Sequence, residues 1–177
     1  MKPIATPILA AIDEAFAFLP GPMDTRDARV MIYSTGLQES RFEDRRQIVE
    51  VIGRGGKVEL RPTGPAKSLY QFERGGGCKG VIQHDASRYW MHQACQWRGV
   101  EFNPTALWNA IETDDVLATC AARLLYFTDP KKLPDASDEE GGWKLYTRTW
   151  RPGALQRQRE ELRQKWARNH AQARAMA

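Results

Sequence analysis

The chain has 177 residues, 42% of them apolar and 27% charged, with a net charge of +4. That size and mix specify one folded domain with room for an appended segment, and they exclude a disordered chain. The charge sits at the end: residues 154–177 carry six basic and two acidic side chains, so residues 1–153 are neutral, which argues against a nucleic-acid-binding domain.

The first element is expected at residues 7–18, where Ile4, Ile8, Leu9, Ile12, Phe16 and Leu19 recur at helical spacing. Pro20-Gly21-Pro22 ends it. Asp24 or Thr25 can cap a second helix running through Arg29, Ile32 and Gly36 to about Ser40, poor in charge and therefore suited to burial. Two β-branched runs follow, residues 47–52 and 57–60, separated by Gly53-Arg54-Gly55-Gly56, which reads as a hairpin. Gly75-Gly76-Gly77 reads as a flexible turn.

Beyond it, Ala86, Tyr89, Trp90, Ala94 and Trp97 form a third helical stripe. Pro104 opens a short helix through Ile111, and Asp114 caps a longer one through Tyr126. Ser137 with Glu140 matches a capping box, placing Trp143, Tyr146 and Trp150 on one side of the next helix. Arg151-Pro152-Gly153 stops that helix. From Leu155 onward the chain has helical propensity and a thin apolar stripe of Leu155, Leu162, Trp166 and Ala173. The expected fold is mainly α with a small β-hairpin or loop excursion: a domain over residues 1–153, then a basic C-terminal helix over 154–177.

The apolar stretch from Ile4 to Ile12 is interrupted by Asp13 and Glu14, so no signal peptide is expected. Three cysteines, Cys78, Cys95 and Cys120, share no close-spaced pair, which fits synthesis in a reducing cytoplasm. Cys78, His84, His92 and Cys95 match no compact zinc-ligand spacing, and neither a metal nor a cofactor is expected.

Glu39 is the candidate catalytic group. At the C-terminal end of a helix the free carbonyls disfavour an ionised carboxylate, and the apolar neighbours Leu37 and Phe42 add desolvation in the same direction. Thr35 and Gly36, one turn back, are small enough to leave room for a ligand. A carboxyl group held protonated can donate to a poor leaving oxygen.

Glu39-Ser40-Arg41-Phe42, followed by Gly64-Pro65-Ala66-Lys67-Ser68-Leu69-Tyr70-Gln71-Phe72, resembles the lysozyme superfamily. The pattern is most similar to the soluble lytic transglycosylases and their phage and prophage relatives. Glu39-Ser40 matches the family's Glu-Ser pair, and Ser68-Leu69-Tyr70-Gln71 matches its Gly-Leu-Met-Gln run, with Ser68 standing where glycine is usual. A positive φ at Ser68 would be costly. The family's Tyr-Asn-Ala-Gly segment has no clean match; Tyr146 is the best substitute, within a segment ending Trp150-Arg151-Pro152-Gly153, as in phage members.

The resemblance implies a lysozyme-like (α+β) fold that cleaves the MurNAc-GlcNAc β-1,4 bond of peptidoglycan. Glu39 would be the single acid/base, with Ser40, Ser68, Tyr70, Gln71 and Tyr146 binding substrate. Asp44 and Glu73 are the nearest residues for a second carboxylate. Such an enzyme acts in the periplasm and cell wall or as a virion component, and a monomer is expected. The alternatives are a muramidase-type hydrolase on the same fold and a non-catalytic virion or wall-binding protein. The basic tail offers a weak contact to anionic envelope surfaces; its narrow apolar stripe favours docking on the domain.

Overall fold

The computed structural model describes residues 3–177; the side chains of Leu155 and Gln156 lie outside the described residues, and so does that part of the expected tail stripe. Helix α1 (Thr6–Phe18) buries Ile8, Ile12, Ala15 and Phe16, the face anticipated by their spacing. Helix α2 (Arg26–Glu39) starts at Thr25, whose hydroxyl accepts the Ala28 amide. Every residue of α2 from Val30 to Gln38 is buried, in keeping with its low charge.

The β excursion comprises two separate two-stranded antiparallel sheets. Strands β1 (Val49–Ile52) and β2 (Val58–Arg61) make the expected hairpin, and β3 (Ala66–Lys67) pairs with β4 (Phe72–Glu73). Polar clamps mount this region on the helices. Arg45 pairs with Asp115 at 2.5 Å, and Lys67 pairs with Glu112 at 2.7 Å while its ammonium lies 3.7 Å from the Trp108 ring centroid.

Gly75, Gly76 and Gly77 lie in a π-helical turn (Arg74–Cys78) rather than a loose turn. At Gly77 the requirement is space, because a Cβ would collide with the Phe72 ring. Helices α3 (Lys79–Gln83), α4 (Asp85–Trp97), α5 (Pro104–Ala110) and α6 (Asp115–Phe127) follow. In α4 the expected stripe is displaced: Ser87, Met91, Ala94 and Cys95 are buried, whereas Tyr89 is 60% and Trp97 42% exposed. Trp97 instead stacks flat on Phe18. Asp114 caps α6 as expected, accepting the Leu117 amide.

Helix α7 (Glu139–Trp150) begins at Asp138, which accepts the Gly141 amide; Ser137 bonds Asp135 instead, so the expected capping box does not form. Arg151 ends α7 in a left-handed conformation, φ 49°. Helix α8 (Arg159–Met176) packs along α2 and α7 and completes the core with Trp166, His170 and Ala173. Among the described residues no helix is long and apolar enough to cross a membrane. The architecture is mainly α with a small β excursion.

Candidate active site

A cleft of about 1050 Å³ opens between the end of α2, the loop carrying Gln71, the π-helical turn and helix α7. Glu39, Gln71 and Tyr146 all line it. Glu39 is the last residue of α2, and the chain then turns sharply through Arg41 (φ 56°) and Phe42 (φ 58°). Left-handed backbone is costly for such side chains and persists only where surroundings enforce it. Here Ser40 enforces it: its hydroxyl donates to the Leu69 carbonyl at 2.6 Å and accepts the Phe42 amide at 3.1 Å. The turn folds Phe42 back over Gly36, where any Cβ would fall inside the Phe42 ring.

Among the described residues, five non-glycine positions have positive φ: Arg41, Phe42, Ser68, Gln71 and Arg151. Two lie two and three residues past Glu39, and Gln71 and Arg151 line the cleft. Strained backbone of this kind clusters at active sites and ligand clamps. Serine at position 68 does adopt the positive φ, 72°, and its hydroxyl accepts the Tyr70 amide, offsetting part of the cost. At Gln71 the side-chain nitrogen donates to the Asp44 and Ser68 carbonyls at 3.1 and 2.9 Å. Its Oε1 is left without a partner among the described residues, an acceptor for a ligand's N–H or O–H.

The Glu39 carboxyl is held between aromatic groups and one cation. The Tyr146 hydroxyl donates to Oε1 at 2.6 Å. Tyr146 is itself stacked on Trp166, ring centroids 4.8 Å apart, and on Trp150 at 6.4 Å. Burial raises the Glu39 pKa from 4.5 to about 7, against the opposing pulls of the Tyr146 hydrogen bond and the Lys165 charge. Lys165, on α8, anchors its ammonium on the Gln38 carbonyl, and burial lowers its own pKa. Burial raises the Tyr146 pKa, with the adjacent carboxylate adding to it, so the phenol stays a donor. No described residue donates to Oε2, which can carry the proton.

The sequence-derived substrate contacts divide into two sets. Gln71 and Tyr146 join Glu39 in the cleft. Ser40, Ser68 and Tyr70 do not line it; they are buried behind its wall and hold the loop in shape. Tyr70 bonds Thr119 through its hydroxyl, and its carbonyl accepts the Trp150 indole N–H at 3.0 Å. Thr35 and Gly36 leave no ligand space either: Thr35 bonds Tyr126 at 2.6 Å, and Gly36 receives Phe42. Of the second-carboxylate candidates, Glu73 lines the cleft and Asp44 does not.

Sequence reasoning missed Lys165 altogether. Its only signal was position, between Leu162 and Trp166 on the stripe expected to dock. The residues weighed for zinc are engaged separately: Cys78 and Cys95 are fully buried, His84 caps α4, and His92 packs on Phe102. No family model matches the chain, and neither the curated proteins nor the solved structures include a match to it. The likeness to lysozyme-type enzymes therefore rests on the quoted residues.

Proposed function

We propose that this chain cleaves the glycan of peptidoglycan as a single-glutamate lytic transglycosylase, serving as a lysis protein or a wall-opening virion component. The observation that carries the reading is the Glu39 carboxyl, raised to about 7 and opening onto a cleft shared with Gln71. A carboxyl group with that pKa is half protonated at neutral pH, the condition for general acid catalysis. Glu39 would protonate the glycosidic oxygen as the bond to the departing sugar breaks. The resulting carboxylate is then stabilised by the Tyr146 hydroxyl and the Lys165 charge, and it can take the proton of the attacking group. In a transglycosylase that group is the substrate's own 6-hydroxyl, which closes a 1,6-anhydro sugar.

The test is digestion of purified sacculi with mass spectrometry of the products. Anhydro ends support transglycosylation, whereas reducing ends identify a hydrolase of the muramidase type. Glu39→Gln should lower the rate by about 10²–10⁴-fold, the usual worth of a positioned general acid. Wall binding without any cleavage by the wild type would make the protein a non-catalytic binder.

A further inference from the structure

The hairpin β1–β2 carries an apolar face that nothing among the described residues covers. Side chains alternate along a strand, and paired residues of antiparallel strands share a face. Ile52 pairs with Val58 and Glu50 with Leu60, so Ile48, Ile52, Val58 and Leu60 project from one side. They are 46%, 82%, 65% and 71% exposed, and none of them belongs to the core. A two-stranded ribbon standing alone in water is marginal, and exposed apolar clusters mark contact surfaces.

The charge around the tip says what kind of surface. Residues 52–58 contain two cations, Arg54 and Lys57, and no acid. Both cations are exposed, and neither takes part in an ion pair among the described residues. They flank a tight turn in which Gly55 and Gly56 adopt φ 79° and 75°. On the opposite face Glu59 is neutralised by Arg61 at 2.6 Å. Glu50, the one acid on the apolar face, lies a full pair back from the tip, beside Leu60. The base is stiff: the Gly64 N–H donates to the Gln47 carbonyl and the Gln47 N–H to the Ala66 carbonyl, each at 2.9 Å, and Arg46 donates to the Gly64 carbonyl at 3.1 Å.

We propose that this hairpin tip docks on the surface of an anionic phospholipid bilayer. Ile52 and Val58 enter the boundary between headgroups and chains, with Leu60 behind them, and Arg54 and Lys57 meet the lipid phosphates. A second copy of the chain is the poorer occupant, since it presents the same unpaired cations. The inference stands whether or not the cleft cleaves glycan.

Co-sedimentation of the full chain with vesicles tests it. Binding is expected to mixed phosphatidylglycerol–phosphatidylcholine vesicles, weakening with salt, and not to pure phosphatidylcholine. The surface triple variant Ile52→Ser/Val58→Ser/Leu60→Ser should lose at least about tenfold, and Arg54→Gln/Lys57→Gln about 25-fold, since each cation near such a surface is worth about fivefold. Unchanged thermal midpoints would show that both variants remain folded. Arg159→Gln/Arg168→Gln on α8 should bind as the wild type does. Absence of wild-type binding, equal binding to both vesicle types, or retention by the triple variant would overturn the proposal. So would a concentration-dependent dimer abolished by the same triple substitution.

Discussion

Three influences act on Glu39, and their order decides what the residue can do. Desolvation is the largest and raises its pKa; the Tyr146 hydrogen bond and the Lys165 charge follow and lower it. The alkaline limb of a pH–rate profile on sacculi should therefore fall near pH 7. Lys165→Met removes an opposing charge, so the limb should move to higher pH; a limb that stays put would remove Glu39 from the role of titrating acid. The same shift affects stability. The folded pKa, about 7, lies above the unfolded value of 4.5, so below pH 4.5 the group is neutral in both states and costs nothing. As pH rises from 4.5 through 7 the folded state must ionise a desolvated carboxyl, a penalty of up to about 3 kcal/mol that is complete above pH 7. Glu39→Gln should thus unfold at higher denaturant than wild type at pH 8 and match it at pH 4, measured by urea titration. Glu39 was legible because a helix end and its apolar flanks are local features. Lys165 was not, because only the docking of α8 brings it to the cleft.

At the scale of elements, the turn after α2 shows how a site is held open by packing that no short motif encodes. Thr25 and Asp114 announce their helices because a cap is a contact between near neighbours, and the hairpin is announced by glycines between β-branched runs. Gly36 looked like ligand space, yet the left-handed turn at Arg41 and Phe42 returns the Phe42 ring onto it. The capping box at Ser137 failed for a related reason: Asp138 stands one residue nearer and its carboxylate captures the Gly141 amide. Gly36→Ala separates the two uses of that glycine. Intrinsic propensity favours alanine in a helix interior by about 1 kcal/mol. Overlap with Phe42 should outweigh this gain and leave a net loss of about 1–3 kcal/mol in denaturant unfolding. A gain in stability would mean that the Phe42 ring yields easily and that the turn is not tightly packed.

At the scale of the whole molecule, the basic helix expected after residue 153 docks on the domain and contributes to its core. Helix α8 supplies Trp166, which has no exposed surface and lies between Trp143, Tyr146 and His170. Its basic residues are partly spent inside the fold: Arg163 grips Glu139 and Glu140 on the first turn of α7, and Lys165 donates to the Gln38 carbonyl on α2. Composition alone could separate a neutral body from a basic end, but not tell that the basic end closes the back of the site. The stack Trp150–Tyr146–Trp166 makes the connection physical, since the ring that bonds Glu39 rests on a side chain from the last helix. Trp166→Ala should therefore act at two levels. Loss of a fully buried indole should lower stability by about 3–5 kcal/mol. Tyr146 should lose its lower support as well, so cleavage of sacculi should fall well below the wild-type rate under conditions where the variant remains folded. Unfolding followed by far-UV and near-UV signals should stay a single coincident transition. Two separated transitions, with the first leaving cleavage intact, would instead make α8 an appendage and return the molecule to a domain with a tail.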